Sequence, residues 1–214
     1  MSEWVAGGLE ALNTLAARAG MPLAVASWLT LLVAVLAMHR RLSSEDTEPH
    51  RTVAGMVGGL ALVSHLADGI VTLTVTPALS METSALWVAI IDRLGEQAAM
   101  LYGLTGKALI VVLSYQLFLW YRIQRLRLFP LQDAHTLMSF SRAFGRTRLE
   151  NLGNFLSFTV PLLSPLMLYV VLLNTAESPR LLTMLPPLPA VALAWLVLLT
   201  VGYFQHSYRA WRAT

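Results

Sequence analysis

Three ionisable side chains stand where ionisable groups are expensive. His65 and Asp68 fall inside the apolar run from Val53 to Thr76, and Lys107 falls inside the next, from Ala98 to Tyr121. At the centre of a membrane helix a charge costs about 2.5–3.5 kcal/mol even on permissive scales, so each needs a partner or a task. Asp68 and Lys107 have opposite charge. At a rise of about 1.5 Å per residue, Asp68 lies roughly 12 Å from the outer end of its run and Lys107 roughly 13 Å from the outer end of its own. Two sequential antiparallel helices would bring them to one level. His65 lies one turn deeper than Asp68 on the same face, and Thr72 continues that stripe outward. Tyr102 and Thr105 are expected to add hydroxyls near Lys107. The pattern fits a pair that pins two helices, with His65 hydrogen-bonded beside it, or a polar site for a proton or ion.

Other chemistries find no residues to carry them. The chain has no G-x-S-x-G elbow and no H-E-x-x-H, the spacings that expose a nucleophile or hold zinc. Asp68-Gly69 resembles the start of a phosphotransferase aspartate motif, but the further aspartates of such a metal site are missing. The absence of cysteine removes disulfides, thiolate metal sites and thiol catalysis together. Of the five histidines, His39, His135 and His206 fall at or inside the cytoplasmic boundary and His50 lies in the polar loop 43–51, which leaves only His65 placed for haem. No metal and no cofactor are expected. Asp92 and Glu96 share a helix face near the outer surface and read as solvated charge.

The elements that must position these residues are membrane helices. Of 214 residues, 56% are hydrophobic and 13% charged, against roughly 25% charged in an ordinary soluble domain. Mean hydropathy is +0.62. A soluble globular domain and a disordered chain are both excluded by these figures. A span needs about 20 predominantly apolar residues, and five stretches qualify: 21–38, 53–76, 98–121, 152–173 and 188–204. None alternates with period two, so a barrel does not compete. The expected fold is all-α, a single bundle of about five transmembrane helices.

Arginine sets the expected orientation. With five spans, Arg40, Arg41, Arg51, Arg122, Arg125, Arg127, Arg142, Arg146, Arg148, Arg209 and Arg212 share one side, and Arg18, Arg93 and Arg180 the other. The positive-inside rule then puts the N-terminus outside and the C-terminus in the cytoplasm. This is a matter of placement, not of net charge: the +3 total carries no nucleic-acid signature. Met1 to Gly20 lacks a basic leader region and reads as an amphipathic helix on the outer surface, ahead of the first span. Residues 122–151 read as a cytoplasmic interfacial segment from which Arg142, Arg146 and Arg148 reach anionic lipid head groups.

Two further features bear on packing. Pro161 and Pro165 each remove a backbone donor from the fourth span and should kink it, with Ser157, Thr159 and Ser164 available to satisfy the freed carbonyls. Gly55 and Gly59 form a G-x-x-x-G, a close-packing face.

Asp68-x-x-x-Thr72, then Glu82 in a short outer loop, then Gly95 and Lys107, resembles a pattern in a family of small uncharacterised prokaryotic membrane proteins. The resemblance covers about residues 60–115. That family carries Asp-x-x-x-Thr, a loop Glu-x-Asn-Pro, a Gly and an intramembrane Lys; here Ser84-Ala85 stands in place of the Asn-Pro. It implies that Asp68, Thr72, Glu82 and Lys107 form one constellation, and it brings no activity.

Short loops and the lack of a catalytic set lead to a non-enzymatic integral membrane subunit or helper in a larger complex. Its expected surroundings are the bilayer of a prokaryotic inner membrane, anionic head groups, and other membrane subunits or further copies of itself. A small proton- or ion-coupled transporter or channel using Asp68, His65 and Lys107 is the alternative. A lipid-modifying enzyme opening beside the kinked fourth span is the third.

Overall fold

A computed structural model describes residues 3–75, 85–127, 148–176 and 184–212. Every regular element among them is helical. Helix α1 runs from Glu3 to Leu42. A 3-10 turn at Glu48–His50 leads into α2, Arg51–Val75. The short α3, Ala85–Leu94, joins α4, Glu96–Arg127, through Gly95. Helix α5, Arg148–Thr159, passes through a 3-10 turn at Pro161–Leu163 into α6, Leu166–Thr175. Helix α7 spans Leu188–Arg212.

Five stretches of these helices are long and apolar enough to cross a bilayer: Ala19–Leu42, Glu48–Thr72, Glu96–Gln124, Leu149–Thr175 and Leu188–His206. The chain is an all-α bundle with the architecture of a multi-pass membrane protein. Large apolar side chains point outward from it, among them Val33, Met56, Leu104 and Leu198, each more than 60% exposed. Apolar surface on that scale is unfavourable in water and belongs against hydrocarbon.

Helix α4 is central and packs against α1, α2, α3, α5 and α7. Its contacts set the directions of the others. Ser27 meets Tyr102 and Trp28 meets Thr105, so α1 runs parallel to α4. Gly58 meets Tyr115 and Gly69 meets Lys107, so α2 runs antiparallel. Trp195 meets Leu162 and Tyr203 meets Asn154, so α7 runs antiparallel to the α5–α6 segment, and Tyr121 meets His206 near the C-terminal ends of α4 and α7. The C-terminal ends of α1, α4 and α7 therefore gather at one end of the bundle with the start of α2, and Arg40, Arg41, Arg51 and Arg122 gather with them.

The core lies toward that basic end. Phe118, Tyr121, Phe158 and Tyr203 are buried there together. Tyr121 stands edge-on to Phe158 with centroids 4.9 Å apart, and Phe155 edge-on to Tyr203 at 5.3 Å, the arrangement that ring quadrupoles favour. Arg41 covers the Trp120 ring at 4.1 Å, a cation–π contact that ties the end of α1 to α4.

Three local expectations need correction. The helix expected over 1–20 is not separate from the first span: Glu3–Leu42 is one helix of 40 residues that includes Pro22 without ending there, and its membrane-length stretch is Ala19–Leu42. The G-x-x-x-G glycines do not pack against any described residue: none lies within 4 Å of a Cβ built on Gly55 or Gly59. Gly58 makes the close approach, since a Cβ there would sit 3.1 Å from Tyr115 Cβ. The choice is one of helical phase, because Gly55 and Gly59 share the outward face while Gly58, one residue earlier than Gly59, turns toward α4.

The proline segment also solves its hydrogen bonding differently. The hydroxyls of Ser157 and Thr159 donate to the carbonyls of Gly153 and Phe155, one turn back (2.8 and 2.9 Å). Neither is a carbonyl whose usual donor a proline has removed. Across the helix boundary, Trp195 Nε1 of α7 donates to the Leu162 carbonyl within the 3-10 turn (2.7 Å). A neighbouring helix thus serves the irregular backbone, as irregular segments at membrane depth require.

Candidate functional site

Lys107 Nζ donates to Asp68 Oδ2 at 2.7 Å, joining α4 to α2. It is the ion pair between different helices among the described residues. Both side chains are about one-fifth exposed, 23% for Lys107 and 20% for Asp68. A Cβ added to Gly69 would lie 3.5 Å from Lys107 Nζ, so the ammonium rests against a bare stretch of the α2 backbone beside its carboxylate partner. An added Cβ there would meet the ammonium at ordinary contact distance.

His65 is buried one turn from Asp68 on α2, next to the fully buried Ser64. Ser64 Oγ donates to the Leu60 carbonyl at 2.8 Å, so its hydroxyl is used within its own helix. Thr72 is half-buried farther along the same stripe. The structure therefore gathers His65, Asp68, Gly69 and Lys107 at the α2–α4 contact.

Tyr102 and Thr105 do not join them. Tyr102 Oη and Ser27 Oγ of α1 are 2.9 Å apart, and Trp28 Nε1 of α1 donates to Thr105 Oγ1 at 3.0 Å. Thr105 also donates back to the Leu101 carbonyl at 2.7 Å. At about 100° per residue, Thr105 and Lys107 are roughly 200° apart around α4, on opposite faces. Nearness in sequence misleads here because residues two apart on a helix do not face the same neighbour. Helix α4 is thus fastened by polar contacts on two sides, to α2 through the ion pair and to α1 through two hydrogen bonds. Trp28 carries the readable signal for the second fastening, since an indole N–H within a span needs an acceptor.

A second polar group, at the basic end, was not marked by the sequence motifs. Tyr121 Oη and His206 Nδ1 share a hydrogen bond of 2.7 Å, and Asn154 Nδ2 donates to Tyr203 Oη at 3.2 Å. Tyr121, Tyr203 and Asn154 are all buried. These contacts join α4 to α7 and α5 to α7. Arg148 opens α5; Glu82, Arg142 and Arg146 lie outside the described residues. No group of three or more potential metal ligands occurs among the described residues.

Neither a family model, nor a curated protein, nor a solved structure matches this chain.

Proposed function

We propose that this chain is a non-enzymatic integral membrane subunit or helper that packs in, or regulates, a larger membrane complex. The observation that carries the reading is a set of three intramembrane polar contacts that close between neighbouring helices. Asp68 holds Lys107, Ser27 holds Tyr102, and Trp28 holds Thr105, each across a helix–helix contact. Side chains engaged in this way hold a scaffold together. The outward apolar faces of α1, α2 and α7 are available for neighbours within the bilayer.

The arginine distribution supports an orientation with the N-terminus outside and the basic end in the cytoplasm of a prokaryotic inner membrane. The resemblance over residues 60–115 is part of the same proposal and accords with a constellation around Asp68 and Lys107.

The test is purification from the native membrane in a gentle detergent, with identification of what co-purifies. A stoichiometric membrane partner whose loss destabilises this chain supports the reading. A chain that purifies alone at full stability overturns it. One observation favours a second reading: the ion pair keeps about one-fifth of its surface open beside His65, as a proton- or ion-coupled path would require. Flux through liposomes holding this chain alone, lost on Asp68→Asn, would establish that reading instead.

A further inference from the structure

Between α1, α3 and α4 lies a groove of about 470 Å³, within the size range of small-molecule pockets, roughly 300–1,000 Å³. Its walls are aliphatic: Met21, Val25 and Leu29 from α1, Ile90 and Leu94 from α3, and Leu101 from α4. Val25, Leu29, Leu94 and Leu101 are exposed, so the groove opens outward where the apolar surface meets lipid. Along it run the Tyr102 and Thr105 hydroxyls, both already bonded to α1. An occupant finds shape and apolar surface here, and must itself be apolar.

The groove does not end in apolar surface. Leu94 is shared with a second cleft of about 480 Å³ at the α3–α4 junction, lined also by Ile91, Gly95, Glu96 and Gln97. Gly95 has φ +84°, a left-handed conformation that breaks the helix and turns α3 against α4. Arg93 and Glu96 flank this turn, both exposed. An apolar groove thus continues into a cleft whose charged lining residue is Glu96.

We infer that the groove and the cleft together bind one amphiphile from the bilayer: a lipid whose hydrocarbon chain lies in the groove and whose zwitterionic, amine-bearing phosphate head sits at the Gly95 turn. The head's ammonium complements the Glu96 carboxylate that lines the cleft. An anionic head without an amine would meet the Glu96 carboxylate unfavourably. A transmembrane helix of another protein, the competing occupant, uses the groove but leaves the charged cleft unexplained.

Trp28 lines the groove and reports on it. The full chain is placed in nanodiscs of equal parts phosphatidylethanolamine and phosphatidylglycerol, with one or the other brominated on an acyl chain. The Trp28 contribution to fluorescence is taken as the difference from Trp28→Phe. Bound bromolipid quenches it beyond its share of the bilayer. The expected result is an enrichment of phosphatidylethanolamine over phosphatidylglycerol of about threefold, the scale of one exposed ion pair, lost in Glu96→Gln. Because Glu96 is exposed, that variant should fold, and tryptophan emission of the remaining residues checks it. Quenching in proportion to mole fraction for both lipids overturns the inference, as does an enrichment that Glu96→Gln leaves unchanged. Photo-crosslinking from position 25 that captures a protein segment in place of lipid also overturns it.

Discussion

Removing one member of the Asp68–Lys107 pair leaves the other charged in a place built for two. The contact is 2.7 Å, with about four-fifths of each side chain covered. For a fully buried pair, stranding one partner costs roughly 3–5 kcal/mol; for an exposed pair the whole interaction is worth at most about 1 kcal/mol. The one-fifth exposure allows some relief through solvent or head groups, which places Asp68→Ala and Lys107→Ala at about 2–3 kcal/mol each. The double substitution removes both charges and loses mainly packing, about 1–2 kcal/mol. The coupling between the sites is then about 2–5 kcal/mol, and the double mutant is more stable than either single one. Unfolding by increasing SDS in mixed micelles, followed by tryptophan fluorescence, measures all four corners of the cycle. Single effects that simply add in the double mutant would refute the reasoning, because independent sites cannot be a load-sharing pair. If both single variants keep wild-type stability, the pair fastens nothing, and the scaffold reading of the polar contacts loses its support.

Gly58→Ala should destabilise the bundle by about 1–2 kcal/mol through overpacking, because its new Cβ meets Tyr115 Cβ, an atom next to the backbone that cannot swing away. Gly55→Ala and Gly59→Ala, with no described residue against them, should be neutral or slightly stabilising from helix propensity; the same SDS titration ranks all three. Trp195→Phe keeps the ring and removes the donor to the Leu162 carbonyl; the expected loss is about 1–2 kcal/mol, and unchanged thermal unfolding in detergent would dismiss that bond. The cysteine-free chain allows single-site labelling: an impermeant thiol reagent on intact cells should modify Gln97→Cys and spare Ser43→Cys, and the reverse would invert the proposed orientation.

Much of the architecture follows from the residues alone, for reasons that are local. Whether a stretch can cross hydrocarbon depends on its own length and polarity, which is why the runs near 21–38, 53–76, 98–121, 152–173 and 188–204 announce five membrane-length helices without any knowledge of packing. The depth of a residue is equally local, fixed by the rise per residue, so Asp68 and Lys107 could be placed at one level before a contact was seen. The proline pair likewise marks where the regular helix must stop, and the structure has a 3-10 turn at Pro161–Leu163.

What the sequence alone left undecided is which way each face points. Rotating α4 by a few tens of degrees would leave its composition, length and depth unchanged while exchanging its neighbours. Charge and depth already pointed Lys107 at Asp68 of α2, but only packing assigned Tyr102 and Thr105 to α1. The same phase decided that Gly58, rather than Gly55 and Gly59, meets α4. Partners distant in sequence were beyond local reading altogether: Trp195 serving Leu162, and Tyr121 meeting His206. Hydrogen bonds between helices depend on the relative placement of two rigid rods, and hydropathy constrains each rod separately. The sequence determined the helices and their depths; the tertiary structure decided their rotation, and with it which polar groups hold one another.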